Sequence, residues 1–170
     1  MKEALELINQ MQADGVIERY AIGGAVGATL YLEPAATLDI DIFVSLPAKT
    51  GSLLISLSPI YDYLQKHGGR AEGEYVVIGG WPVQFLPVST AVEEEGLREA
   101  VETDLEGMPV WVMRAEHLAA IALQTGRAKD HARILQFLEQ DAVDRSRLEA
   151  VLEAHGLNSK WEKFKARFLG

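Results

Sequence analysis

Asp39 and Asp41 sit in the run Thr37-Leu38-Asp39-Ile40-Asp41-Ile42-Phe43-Val44, where polar and apolar side chains alternate. That alternation, with β-branched residues along one side, predicts a half-buried strand over 37–44. Side chains two apart on a strand share a face, so both carboxylates project one way while Leu38, Ile40 and Ile42 fill the other. Carboxylates held side by side repel, and burial raises the cost unless a cation lies between them. A hard divalent ion such as Mg²⁺ or Mn²⁺ relieves it, because such ions take oxygen ligands from one or two carboxylates and from substrate phosphates. The same spacing also describes the solvated face of an edge strand.

Upstream lies Gly23-Gly24, between a short strand at Tyr20-Ala21-Ile22 and a run of small residues from Ala25 to Leu32 that reads as a buried helix. Glycines in that context let backbone N–H groups at a helix start approach phosphate oxygens. A strand-to-helix turn needing positive φ accounts for a lone pair of glycines equally well. In combination, amides for phosphate and carboxylates for a bridging metal make both halves of a nucleoside-triphosphate site.

Other candidates carry less. His67, His117, His131 and His155 lack the i, i+4 spacing of metal ligands and have no partnered acid nearby in sequence, so each is expected at a surface or interface. Ser89 and Thr90 are assigned turn and N-cap roles. Trp81, Trp111 and Trp161 read as core or interface anchors. Lys160, Lys163, Lys165 and Arg167 form one basic helix face.

The elements that must position these residues follow from periodicity. Leu5, Ile8 and Met11 at helical spacing predict a first helix over 2–11. Ser58-Pro59, read as N-cap and N1, opens a helix running to about His67. Strands over 75–78 and 83–88 joined through Gly79-Gly80 predict an antiparallel hairpin, with Pro82 at an edge. A Glu-rich helix is expected over 90–103 and a buried strand over 110–113. Beyond Met113 the pattern is helical: 115–125, 128–139, 144–155 with Asp144 as N-cap and Gly156 as stop, and 159–169. The chain thus reads as an α/β (α+β) core over 1–113, a mixed sheet with helices on one side, followed by a helical region over 114–170 packed on it.

At 170 residues with 48% apolar and 24% charged side chains, the chain is long enough for one core and is neither disordered nor repeat-built. Cysteine is absent, which excludes disulfides, thiolate metal sites and a Cys nucleophile. The start lacks a signal peptide's pattern and no stretch approaches a membrane span, so a soluble, cytoplasmic protein with no membrane partner is expected. A net charge of −9 disfavours long DNA or an anionic membrane as partner. Of that charge −6 lies in residues 93–113, whereas residues 114–170 carry +2, which leaves room for one phosphate-bearing ligand.

Ile22-Gly23-Gly24-Ala25 followed by Thr37-Leu38-Asp39-Ile40-Asp41-Ile42 resembles the signature of the DNA polymerase β-like nucleotidyltransferase superfamily. Within it the chain is similar to small bacterial and archaeal nucleotidyltransferases of abortive-infection toxin–antitoxin pairs. Ala115-Glu116-His117-Leu118 through Gly126-Arg127-Ala128-Lys129-Asp130 resembles that group's helical segment. The resemblance implies that Asp39 and Asp41 hold Mg²⁺ (or Mn²⁺) and that Gly23 and Gly24 line the triphosphate of an NTP. It also implies that Arg127 and Lys129 neutralise phosphate, with Asp130 orienting them; on the residues alone these three also read as a charged helix start with local ion pairs. The implied acceptor is a hydroxyl on a protein, RNA or small molecule, and the implied partner a toxin–antitoxin mate. Four positions depart from the pattern. Gln84 stands where a third carboxylate is usual, and an amide can ligate but cannot act as a base; Ala25 replaces a small hydroxyl residue, and Ala35 and Ala122 replace basic ones. These departures support an alternative, a catalytically degenerate fold serving as a binding or regulatory module. A third reading is a dimerising structural protein that uses the C-terminal helices.

Overall fold

The computed structural model describes residues 1–33, 39–48 and 56–170. The expected strand start at 37–38, Ala35 and part of the 47–58 loop lie outside the described residues. Among the described residues seven strands form one mixed sheet: β1 (Arg19–Ile22), β2 (Ile40–Ser45), β3 (Arg70–Glu72), β4 (Tyr75–Ile78), β5 (Trp81–Pro87), β6 (Val101–Leu105) and β7 (Met108–Val112). Their spatial order is β3-β4-β5-β2-β1-β7-β6. The centre pairs β1 with β2 antiparallel and β2 with β5 parallel, and β1 meets β7 in parallel through Ile22 and Val112.

Strict alternation decides what each face buries. Tyr20, Ile22, Ile40, Ile42, Val44, Val83, Phe85, Val110 and Val112 all point to one side. There they meet Leu5, Ile8 and Met11 of α1 (Lys2–Ala13), and Ile60 and Leu64 of α3 (Ser58–Lys66). Full burial of each such side chain is worth about 1.5–3 kcal/mol. The other side presents Ala21 and Phe43 to α4 (Ala91–Arg98), α5 (Ala115–Thr125), α6 (Ala128–Glu139), α7 (Arg145–Ala154) and α8 (Asn158–Phe168). Helices therefore cover both faces, not one. α1 and α3, placed early in the chain, take the face that the C-terminal helices cannot reach. Among the described residues no helix is long and apolar enough to cross a membrane.

Three local expectations change. The helix expected over 90–103 ends at Arg98, and Val101–Leu105 becomes an edge strand paired with β7. Its alternation of half-buried Val101, Thr103 and Leu105 with exposed Glu102 and Asp104 has the period of a strand, and Glu106-Gly107, both at positive φ, closes the hairpin. Exposed acids on that edge discourage pairing with another chain. The expected helix over 25–32 shortens to α2 (Gly24–Ala28). In α3, Leu57 is the N-cap, so Ser58 and Pro59 sit one position further in than expected. The wholly exposed β3 has no apolar pattern and forms only because β4 offers it a ladder. The Gly79-Gly80 hairpin between β4 and β5 forms as expected, and Pro82 lies just before β5 begins to pair with β2, so its missing N–H costs no ladder bond there.

Candidate active site

Parallel pairing of β2 with β5 sets Asp41 directly beside Gln84. Ile40 and Ile42 are fully buried on the opposite face, which turns the Asp41 and Gln84 side chains toward α5 and α6. Asp39 stands just ahead of β2. The Gly23 N–H donates to the Asp41 carbonyl at 2.9 Å, stitching the glycine turn to the acidic strand. Gly24 has φ +56°, and a Cβ there would overlap Asp41 Oδ2. A Cβ on Gly23 would lie 2.5 Å from the Phe43 ring. Both glycines are thus required for space. Gly24 lines the cleft; Gly23 supports the turn from beneath and does not.

The cleft, about 440 Å³ in volume, gathers Gly24, Ala25, Asp39, Asp41, Gln84, Ala122, Arg127, Lys129, Asp130 and Arg133. Residues from widely separated stretches of chain meet here: the start of β2, the Gly24 turn, β5 and the start of α6 all line the cleft. Arg127 is the N-cap of α6, and its Nε and Nη2 donate to the Asp130 carboxylate at 2.7 and 3.2 Å. Asp130 also accepts the Arg127 backbone N–H at 3.1 Å. Burial would raise the pKa of Asp130, but the hydrogen bonds and charge of Arg127 outweigh it and hold the carboxyl below its ordinary value. The local ion pair read from sequence exists, and it fixes Arg127 at the cleft wall.

Asp41 behaves oppositely. Burial, followed by the negative charge of Asp39, raises its pKa, against the pull of Arg133, Lys129 and Arg127. The charge of Asp39, followed by desolvation, pushes the phenol of half-buried Tyr75 upward, and a hydrogen bond from its hydroxyl to Asp39 adds to the shift. Arg133 and Tyr75 were not singled out in the sequence. Arg133 follows Lys129 by four residues, a spacing that puts both on one helix face and could have revealed it. Tyr75 carried no such signal. Ser89 and Glu93 also line the cleft, but Glu93 is engaged in capping α4: its Oε2 accepts from the Ser89 and Thr90 N–H groups at 2.8 and 3.3 Å. Thr90 is the N-cap, as expected.

The histidine expectation fails at His117, which is 2% exposed on α5. It faces Glu95 and Glu99 of α4, and His155 is hydrogen-bonded to Glu95. These partners lie more than a dozen residues away in sequence, beyond the reach of spacing rules. His67 stacks on Tyr63, and His131 packs against Phe164 and Phe168.

No protein-family model matches the chain, and no curated protein is similar to it in sequence. Solved structures do resemble it. An antigenic nucleotidyltransferase-like protein from Paracoccidioides brasiliensis matches with a TM-score of 0.54 at 15% identity, over 81% of this chain and 73% of that one. The antibiotic-resistance factor ANT(2'')-Ia in solution matches with a TM-score of 0.54 at 15% identity, over 96% of each chain. Seven strands in a mixed sheet, flanking helices and a helical C-terminal part thus make up a nucleotidyltransferase-like fold.

Proposed function

We propose that the chain is a nucleotidyltransferase that moves a nucleoside monophosphate from an NTP to a hydroxyl acceptor on a protein, an RNA or a small molecule. The observation that carries this reading is one cleft holding the Asp39 and Asp41 carboxylates opposite Arg127, Lys129 and Arg133. The fold likeness supports it. The donor set suits Mg²⁺ or Mn²⁺: two carboxylates and the Gln84 amide offer hard oxygens, and Asp41 is held in a repulsive environment that a cation relieves. Asp39 and Asp41 would hold the ion, with the Gln84 oxygen as a further ligand. When bound, the ion would screen the phosphate oxygens and polarise them.

The chain's own groups do the rest. Gly24 keeps side-chain volume away from Asp41, and the first N–H groups of α2, which have no intrahelical acceptor, would be available to phosphate oxygens. Arg127, Lys129 and Arg133 offset the charge of the triphosphate and of the pyrophosphate that leaves when the acceptor oxygen bonds to the α-phosphorus. Asp130 positions Arg127. The acids come from the 1–113 core and the cations from the 114–170 helical region, so the cleft lies where the two parts meet.

Gln84 beside Asp41 favours a second reading, in which the cleft binds nucleotide or metal without transfer as a regulatory module, with a toxin–antitoxin partner as its setting. One experiment separates the two. The full chain is incubated with α-labelled NTPs and Mg²⁺ or Mn²⁺, alongside calorimetry with Mg²⁺ and ATP. Label transfer that disappears in Asp41→Asn upholds the enzyme; binding without transfer upholds the module; neither overturns both.

A further inference from the structure

A second polar cluster lies away from the cleft, on the far side of α4. Glu95 lies on that helix and Glu99, one turn on, is its C-cap; Gly96 between them packs so tightly that an added Cβ would meet Met113 Sδ at 3.1 Å and His117 Cβ at 3.3 Å. The close approach carries the buried His117 ring up to both glutamates. Its Nε2 lies 3.7 Å from Glu95 Oε2 and 4.0 Å from Glu99 Oε2, too far for a hydrogen bond to either. Among the described residues neither ring nitrogen of His117 has a hydrogen-bond partner. An orphaned imidazole in that setting costs free energy unless something between the three groups satisfies it.

The spacing fits an ion. Ligand atoms about 2.0–2.1 Å from a tetrahedral metal stand roughly 3.4 Å apart, and one ligand atom from each of Glu95, Glu99 and His117 lies within 4.8 Å of the others. Nε2 of His155, at the end of α7, is hydrogen-bonded to Glu95 Oε2 and so borders the same space. Among the described residues this is the one group of three or more His, Asp or Glu side chains with such spacing. We propose that Glu95, Glu99 and His117, with His155 as hydrogen-bond partner to Glu95, bind one divalent transition-metal ion that clips α4 to α5. Imidazole nitrogen with carboxylate oxygen selects Zn²⁺ over Mg²⁺, which prefers oxygen alone. The clip steadies α4, whose capped start forms part of the cleft wall, and it stands independently of the proposed transfer reaction.

The test titrates the chelator-treated full chain with Zn²⁺ by calorimetry, and with Co²⁺ by visible absorption. The expected result is one equivalent bound, a tetrahedral Co²⁺ spectrum, and a Zn²⁺-dependent rise in Tm. Glu99 is exposed, so Glu99→Gln keeps the fold; it should weaken Zn²⁺ by more than the ~10–100-fold typical of outer-shell partners. His155→Gln should weaken it less, and Asp39→Asn/Asp41→Asn should leave it unchanged. No stoichiometric binding, binding that survives Glu99→Gln, or binding lost in the Asp39/Asp41 variant overturns the proposal.

Discussion

Asp39 with Asp41, and Glu95 with Glu99, are both acidic pairs at the spacing of neighbours on a strand and on a helix, the first at the start of β2 and the second at the end of α4. They differ in what faces them. The aspartates look across an open cleft at three cations from α6, with an amide neighbour in the sheet. The glutamates look at a buried imidazole whose nitrogens are unpaired. Two like-charged oxygens alone say little about chemistry, because the opposing groups select the ligand. Cations with hard oxygens suit a phosphate brought with its metal; nitrogen with oxygens suits a transition metal that stays.

The largest effect expected from this contrast is in the cleft. Asp41→Asn should cut label transfer by about 10²–10³-fold, the scale of losing one preorganised electrostatic group, while Zn²⁺ binding at Glu95, Glu99 and His117 stays as in the parent chain. Equal loss of both would erase the distinction between the two clusters. Next, Gly24→Ala forces a side chain into left-handed backbone and against Asp41, costing about 1–3 kcal/mol in urea unfolding and lowering transfer with it.

Asp130→Ala removes the carboxylate that caps α6 and clamps Arg127, and should destabilise by about 1–2 kcal/mol. Because Asp130 is held below its ordinary value of 3.8, its contribution is complete above that pH and is lost as pH falls through the lowered value; the Ala variant should lack that acid-side decline. The smallest effect separates the clusters by pH. Burial holds His117 below its ordinary value of 6.5, so the unfolded chain takes up a proton that the folded chain resists. Stability of the metal-free chain should therefore be full above pH 6.5 and decline below it, with a slope of at most about 1.4 kcal/mol per pH unit. Zn²⁺ should restore stability least at the acid end, where protons compete for the ligands. Urea unfolding between pH 7.5 and 5.5 reads both, and a flat profile counts against a neutral, buried His117.

Much of the fold was legible because periodicity is local. The α5, α6 and α7 boundaries, the Asp144 cap and the Gly79-Gly80 hairpin follow from side chains within a few residues of one another. In the Glu-rich stretch charge masks period: Val101, Thr103 and Leu105 alternate as a strand does, and their partner β7 lies across a turn. Covering both faces of the sheet was not legible either, since no local pattern states which side of a strand a distant helix will take.

The Asp39 and Asp41 pair, the glycine turn and the charged start of α6 are written into local sequence, since same-face carboxylates, helix caps and turn residues are set by backbone geometry over two to four residues. That these meet in one cleft, that Arg133 and Tyr75 join them, and that His117 faces Glu95 and Glu99 comes from the packing of distant segments. Those encounters depend on how helices α4 to α7 settle on the sheet, a matter of packing between segments that no spacing within a segment encodes.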